Sequence, residues 1–190
     1  MPRRISWGEV MTVNAMIFLG ACILGTGMHF LYKPLGRPRG LGFLLPVSES
    51  PWEHTKLCFW PLCLALGLWG GLTGCGLSAL LWGALCAVSH GGCAMLAIYY
   101  LYRAALGVPR PVLWVDIGSF FAAMGTGFPL GVRILARGAS PLLGCAGALG
   151  LAAWALFFAY AAFSPPKYPL FQQAGREISH TYRPKGRRSR

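Results

Sequence analysis

The sequence predicts an all-α integral membrane protein, a bundle of about five transmembrane helices, on three observations. Of 190 residues, 55% are hydrophobic and only 12% are charged, about half the charged fraction of an ordinary soluble domain. Mean hydropathy is +0.53. The apolar residues are gathered into runs of about 20, the length an α-helix needs to cross roughly 30 Å of hydrocarbon.

The first helix is expected over about 10–32. Arg3 and Arg4 precede it as in a signal peptide, but the run is too long for a typical h-region and reads as a retained span. Ala21 and Gly25 give it a small-xxx-small face. Residues 33–47 hold three prolines and three glycines among Lys33, Arg37 and Arg39, a composition that stops the helix and makes a loop. The second helix is expected over about 51–72, with Ser50 as N-cap, Pro51 at the first helical position and Glu53 closing a capping box. Pro61 predicts a kink in it.

Gly67, Gly70, Gly71 and Gly74 make two GxxxG spacings, which suit close helix packing or a homo-oligomer. An uncharged turn at Gly74-Cys75-Gly76 leads into a third helix over about 77–103. That helix ends in Tyr99, Tyr100, Tyr102 and Arg103, an interface belt. A fourth is expected over about 111–135 with Asp116 near its start, and a fifth over about 141–163. The prolines of Ser164-Pro165-Pro166-Lys167-Tyr168-Pro169 then predict an extended segment leaving the membrane. Residues 172–190 read as a basic, disordered tail.

Net charge is +12, and seven of the seventeen Lys and Arg residues lie from Lys167 onward. Basic residues at loops and an end suit anionic lipid headgroups rather than nucleic acid. Cys22, Cys58, Cys63, Cys75, Cys86, Cys93 and Cys145 form no C-x-x-C pair, and nearly all fall within apolar runs. They read as small buried hydrophobes.

Chemistry concentrates in Ser48-Glu49-Ser50-Pro51-Trp52-Glu53-His54-Thr55-Lys56-Leu57. The chain has five acidic residues and four histidines, and this stretch holds two of the former and one of the latter. Counting five spans places the end of the first helix with His29, the start of the second with Glu49, Glu53 and His54, and the start of the fourth with Asp116 at one membrane face. By helix rise, Asp116 lies about 7 Å and His29 about 4–5 Å below that face, whereas His90 lies about 18 Å away. His90, beside Ser89, is expected to bond to a neighbouring helix.

Ionisable groups in hydrocarbon are costly unless paired, and by default suggest function. The candidate catalytic groups are Glu49, Glu53, His54 and Asp116. The candidate ligands for a divalent metal are His29, His54 and Glu49. A structural account pairs Asp116 with Lys56 or Arg103 and leaves Glu53 as a cap. Three functions remain open: a structural or accessory protein, which ranks first, a metal-dependent membrane hydrolase, and a proton- or cation-coupled transporter. The site expected is the cell membrane; its orientation is undecided, with six basic residues near the motif face against four opposite.

The central stretch resembles the signature N-E-S-x-W-E-H-x-K-L of a family of small bacterial multi-pass membrane proteins known as a domain of unknown function. Glu49, Ser50, Trp52, Glu53, His54, Lys56 and Leu57 match it, and Ser48 stands where Asn is usual. His29-Phe30-Leu31-Tyr32, the Asp116 region and Pro165-Pro166 with Pro169-Leu170-Phe171 extend the likeness. Lys167 replaces a His, and Gln172-Gln173 an Asp-Pro. The resemblance implies the same architecture, with the motif outside the cell, and no activity.

Overall fold

The computed structural model describes residues 7–36, 38–108 and 110–172; the basic tail and Arg3 and Arg4 lie outside them. The described chain is helical, without strands: α1 (Trp7–Leu31), α2 (Pro51–His54), α3 (Lys56–Thr73), α4 (Leu77–Leu106), α5 (Leu113–Arg137) and α6 (Pro141–Phe163), with short 3-10 turns at Arg39–Leu41 and Pro169–Phe171. Counting α2 and α3 together, five helices among the described residues are long and apolar enough to cross a membrane.

Local chemistry sets the ends. The Glu53 N–H donates to Ser50 Oγ at 3.3 Å, and Pro51 follows that cap. Ser140 and Pro141 begin α6 in the same way. Gly74 ends α3 with φ of 67°, a left-handed conformation that costs glycine little. Pro61 lies inside α3, and the stretch from Pro51 is interrupted at Thr55. There the Thr55 hydroxyl donates to Trp52 O at 2.7 Å and its N–H to the same carbonyl at 3.1 Å, tightening one turn.

α4 packs along both α5 and α6, α3 lies against α1, α4 and α5, and α1 meets α5 only lightly. Small residues permit these approaches. A Cβ on Gly147 would lie 2.5–2.6 Å from the backbone of Leu81 and Trp82, and one on Gly25 would lie 2.7 Å from Leu57 O and Phe120. A Cβ added at Gly67, Gly71 or Gly74 would meet nothing within 4 Å, so among the described residues the GxxxG spacings pack through Gly70.

The Pro-rich end does not simply leave the bundle. Trp52 stacks on Trp154 with ring centres 5.2 Å apart and planes 3° from parallel, and Phe171 returns to lie 5.4 Å from Trp52. Aromatic contact therefore holds the end of the described chain against the start of the central motif.

Candidate metal centre

Helix capping supplies the first part of the site. Because Ser50 is the N-cap, His54 stands one turn further on, and its ring reaches back to the Ser50 carbonyl with Nδ1 at 2.8 Å from the oxygen. A carbonyl only accepts, so Nδ1 carries the proton. In the neutral ring, Nε2 is then left with a free lone pair. This is the arrangement of a metal-binding histidine, whose far nitrogen is anchored to fix ring and tautomer.

That Nε2 lies 3.5 Å from Glu49 Oε2, and His29 Nε2 lies 4.0 Å from the same oxygen. The two imidazoles face each other with centres 5.3 Å apart. One ligand atom from each of His29, Glu49 and His54 falls within 4.8 Å of the other two. A tetrahedral zinc site, with bonds of about 2.0–2.2 Å, has ligand atoms about 3.4 Å apart, so side-chain shifts of the order of an ångström close the set. Two imidazoles and a carboxylate suit zinc and similar ions.

Glu49 is 54% exposed and the histidines are 29% and 27% exposed, so the open side of the cluster faces out of the bundle. Lys33 Nζ lies 3.8 Å from Glu49 Oε1, leaving Oε2 to the histidines. When the His54 ring carries its second proton, on Nε2, its contact above all, and then the nearby His29 and Lys33, hold the Glu49 carboxyl below its ordinary range against partial burial, which acts the other way. Glu49 is thus ready as an anionic ligand. His29 is less firmly held, since its Nδ1 is buried without a hydrogen-bond partner and its ring rests edge-on against Phe30.

Asp116 lines the same cavity as these three residues. Its Oδ1 accepts from the Tyr102 hydroxyl at 3.0 Å, and that hydroxyl in turn accepts from Val112 N–H at 3.0 Å. Of the two partners expected for Asp116, Lys56 lies elsewhere, while the charge of Arg103 does act on the Asp116 carboxylate. Lys56 is fully buried and donates to Glu53 Oε2 and Gly42 O, each at 2.7 Å.

Glu53 is the one predicted catalytic residue that the structure takes away from the cluster. Being adjacent to His54, it points about 100° further round the helix, where its Oε2 meets Lys56 and the Val47 N–H at 2.7 Å. Only half of the capping box forms, because the Glu53 carboxylate serves the loop instead of Ser50 N–H. The ion pair clamps residues 42–47 to α3 and sets Glu49 over the helix start. His90 bonds across to Thr126 Oγ1 at 3.0 Å, and Trp154 Nε1 donates to Ser89 Oγ at 3.3 Å.

Below the cluster lies a cavity of about 570 Å³ between α1 and α5, backed by α3 and α4. Met95, Leu96 and Tyr99 line it from α4, and the sequence offered little to find it.

The chain belongs to a family of unknown function, DUF6512, whose model matches residues 6–182. No curated protein and no solved structure matches it.

Proposed function

Within a family to which no activity is attached, we propose that this member is a multi-pass protein of the cell membrane that binds a divalent metal, zinc by ligand type, and uses it for hydrolysis at one membrane face. The grouping of His29, Glu49 and His54 carries this reading, because three ligands with an open side are the arrangement of catalytic rather than structural zinc. A zinc ion held there would lower the pKa of a water to about 7.

The chain's own groups then divide the work. His54, anchored on Ser50 O, and Glu49, steadied by Lys33, fix the metal-facing geometry, while His29 closes it from α1. Asp116, held by Tyr102 in the same cavity, takes the proton from water as its oxygen adds to a carbonyl carbon. As the C–O bond of an ester breaks, Asp116 returns the proton to the leaving alkoxide. Glu53 and Lys56 play no chemical part; they hold the loop.

The test is hydrolysis of a chromogenic acyl ester by the purified protein in mild detergent. Chelation should abolish turnover and added zinc restore it. Glu49→Gln and His54→Ala should be inactive, and Asp116→Asn should fall at least about 100-fold, in the range set by losing a general base. Turnover unchanged in Glu49→Gln and Asp116→Asn would overturn the assignment.

A further inference from the structure

We propose that the cavity beneath the cluster holds the acyl chain of a lipid amphiphile, which enters sideways from the bilayer between α1 and α5 and presents an oxygen-bearing headgroup, carbonyl or phosphoryl, to His29, Glu49 and His54. The headgroup part of this inference rests on the metal centre proposed above; the chain part does not.

The ionisable groups of the cavity gather at one end. His29, Glu49, His54 and Asp116 lie at its mouth, and below them the lining is mostly apolar, with the hydroxyls of Thr26 and Ser119 its deeper polar groups. Its volume, about 570 Å³, falls in the range of about 300–1,000 Å³ usual for small-molecule sites. It also has a direction. The inner wall is closed, with Leu57 of α3 and Met95 of α4 each 6% exposed, while on α1 and α5 the lining residues Phe30, Leu113 and Phe121 are 66%, 64% and 47% exposed.

These three side chains belong to membrane-spanning helices, so what faces them is lipid, and the gap they border opens to the bilayer. The floor is fixed by Gly25, which brings α1 against Leu57 O and the Phe120 ring. Gly25 is one helical turn from His29, so the floor is about 6 Å below the cluster. That depth takes only the part of a chain nearest the headgroup, and the remainder passes out through the gap into the membrane. The exposed mouth gives water access to the cluster, and the mostly apolar wall beneath it suits a hydrocarbon chain rather than a polar ligand.

A long-chain fatty acyl ester with a diazirine close to its carbonyl tests this in nanodiscs of phosphatidylcholine. After irradiation, peptide mass spectrometry should find adducts concentrated on residues 26–30 and 113–121. Ile117→Trp, which fills the cavity from α5, should lower the yield at least about fivefold while zinc content stays as in the wild type. Leu149→Trp, on the exposed face of α6, should leave the yield unchanged. Adducts equally frequent on α6 in the wild-type protein, or undiminished in a folded Ile117→Trp, would overturn the proposal; the wild-type map decides alone should that variant not fold.

Zinc removal separates the two parts. A severalfold lower yield after chelation supports headgroup capture at the cluster. An unchanged yield in a protein shown to lose zinc overturns that part. A protein that never holds zinc yet labels in the cavity refutes the metal centre and leaves the chain site standing.

Discussion

Removing the Lys56 amine while keeping its stem, as in Lys56→Met, isolates the clamp beneath the site. Lys56 has no exposed surface and the Glu53 side chain is 4% exposed, with 2.7 Å between Nζ and Oε2. At that distance the attraction is about 6 kcal/mol for an effective dielectric constant near 20. The net effect of breaking a buried pair is smaller, about 3–5 kcal/mol, because it is set by the charge left without its partner. In Lys56→Met, Glu53 keeps only the Val47 N–H, and the Gly42 carbonyl loses the donor it has from Lys56. For a chain of this length, 3–5 kcal/mol corresponds to a fall of roughly 6–20 °C in unfolding midpoint. Tryptophan fluorescence during heating in detergent reads it. Glu53→Gln should also be costly, since it leaves Lys56 charged and buried, although Gln would satisfy a capping box. The double variant Glu53→Gln, Lys56→Met should recover part of the loss. A midpoint within about 2 °C of wild type for Lys56→Met, well below the shift expected from a buried pair, would refute the clamp.

Other outcomes follow from the same geometry. Gly147→Val should destabilise the bundle severely by forcing α6 off the backbone of Leu81 and Trp82, whereas Gly67→Ala, with open space around it, should shift the midpoint by less than about 2 °C; circular dichroism melts compare them. His54→Ala should weaken zinc binding more than His29→Ala does in a competition titration, because His54 alone of the two is anchored through its far nitrogen. Zinc should be released on acidification with uptake of about two protons per ion, because protons compete with the metal for the two imidazoles. Glu49 is held ionised by His54, His29 and Lys33, so zinc release with no proton uptake would contradict the histidine ligands. Phe171→Ala should lower the midpoint by about 1–3 kcal/mol equivalent without changing zinc content, since Phe171 touches Trp52 and not the cluster.

The spans were legible because apolar runs of membrane length are a one-dimensional signal. Counting those spans also put His29, Glu49, His54 and Asp116 at a common face, since a hairpin topology fixes which helix ends meet. Side-chain direction was not legible. Glu53 and His54 are neighbours in sequence and differ by one helical step, which sends one carboxylate to Lys56 and one imidazole to Glu49. Local rules favoured a full capping box, yet the loop at 42–47 folds back and offers Val47 N–H, a partner known only from tertiary structure. Asp116 likewise finds Tyr102, brought beside it by the α4–α5 turn, as its hydrogen-bond donor, and of the two cations expected near it only Arg103 acts on it. The cavity exists because α1 is tight against α3 and α5 at Gly25 and opens above it, and no periodicity reports that divergence. The return of Phe171 to Trp52 was hidden for a similar reason, as proline composition speaks of local stiffness and not of destination.

The central claim is that His29, Glu49 and His54 form a metal centre. Its most direct test is metal content by mass spectrometry on protein purified without chelators, beside the Glu49→Gln, His54→Ala double variant and Lys56→Met. The account predicts close to one zinc per folded chain in the wild type and in whatever fraction of Lys56→Met remains folded, and none in the double variant. No divalent metal in a folded wild-type protein, even after incubation with zinc, or equal metal in the double variant, would contradict it.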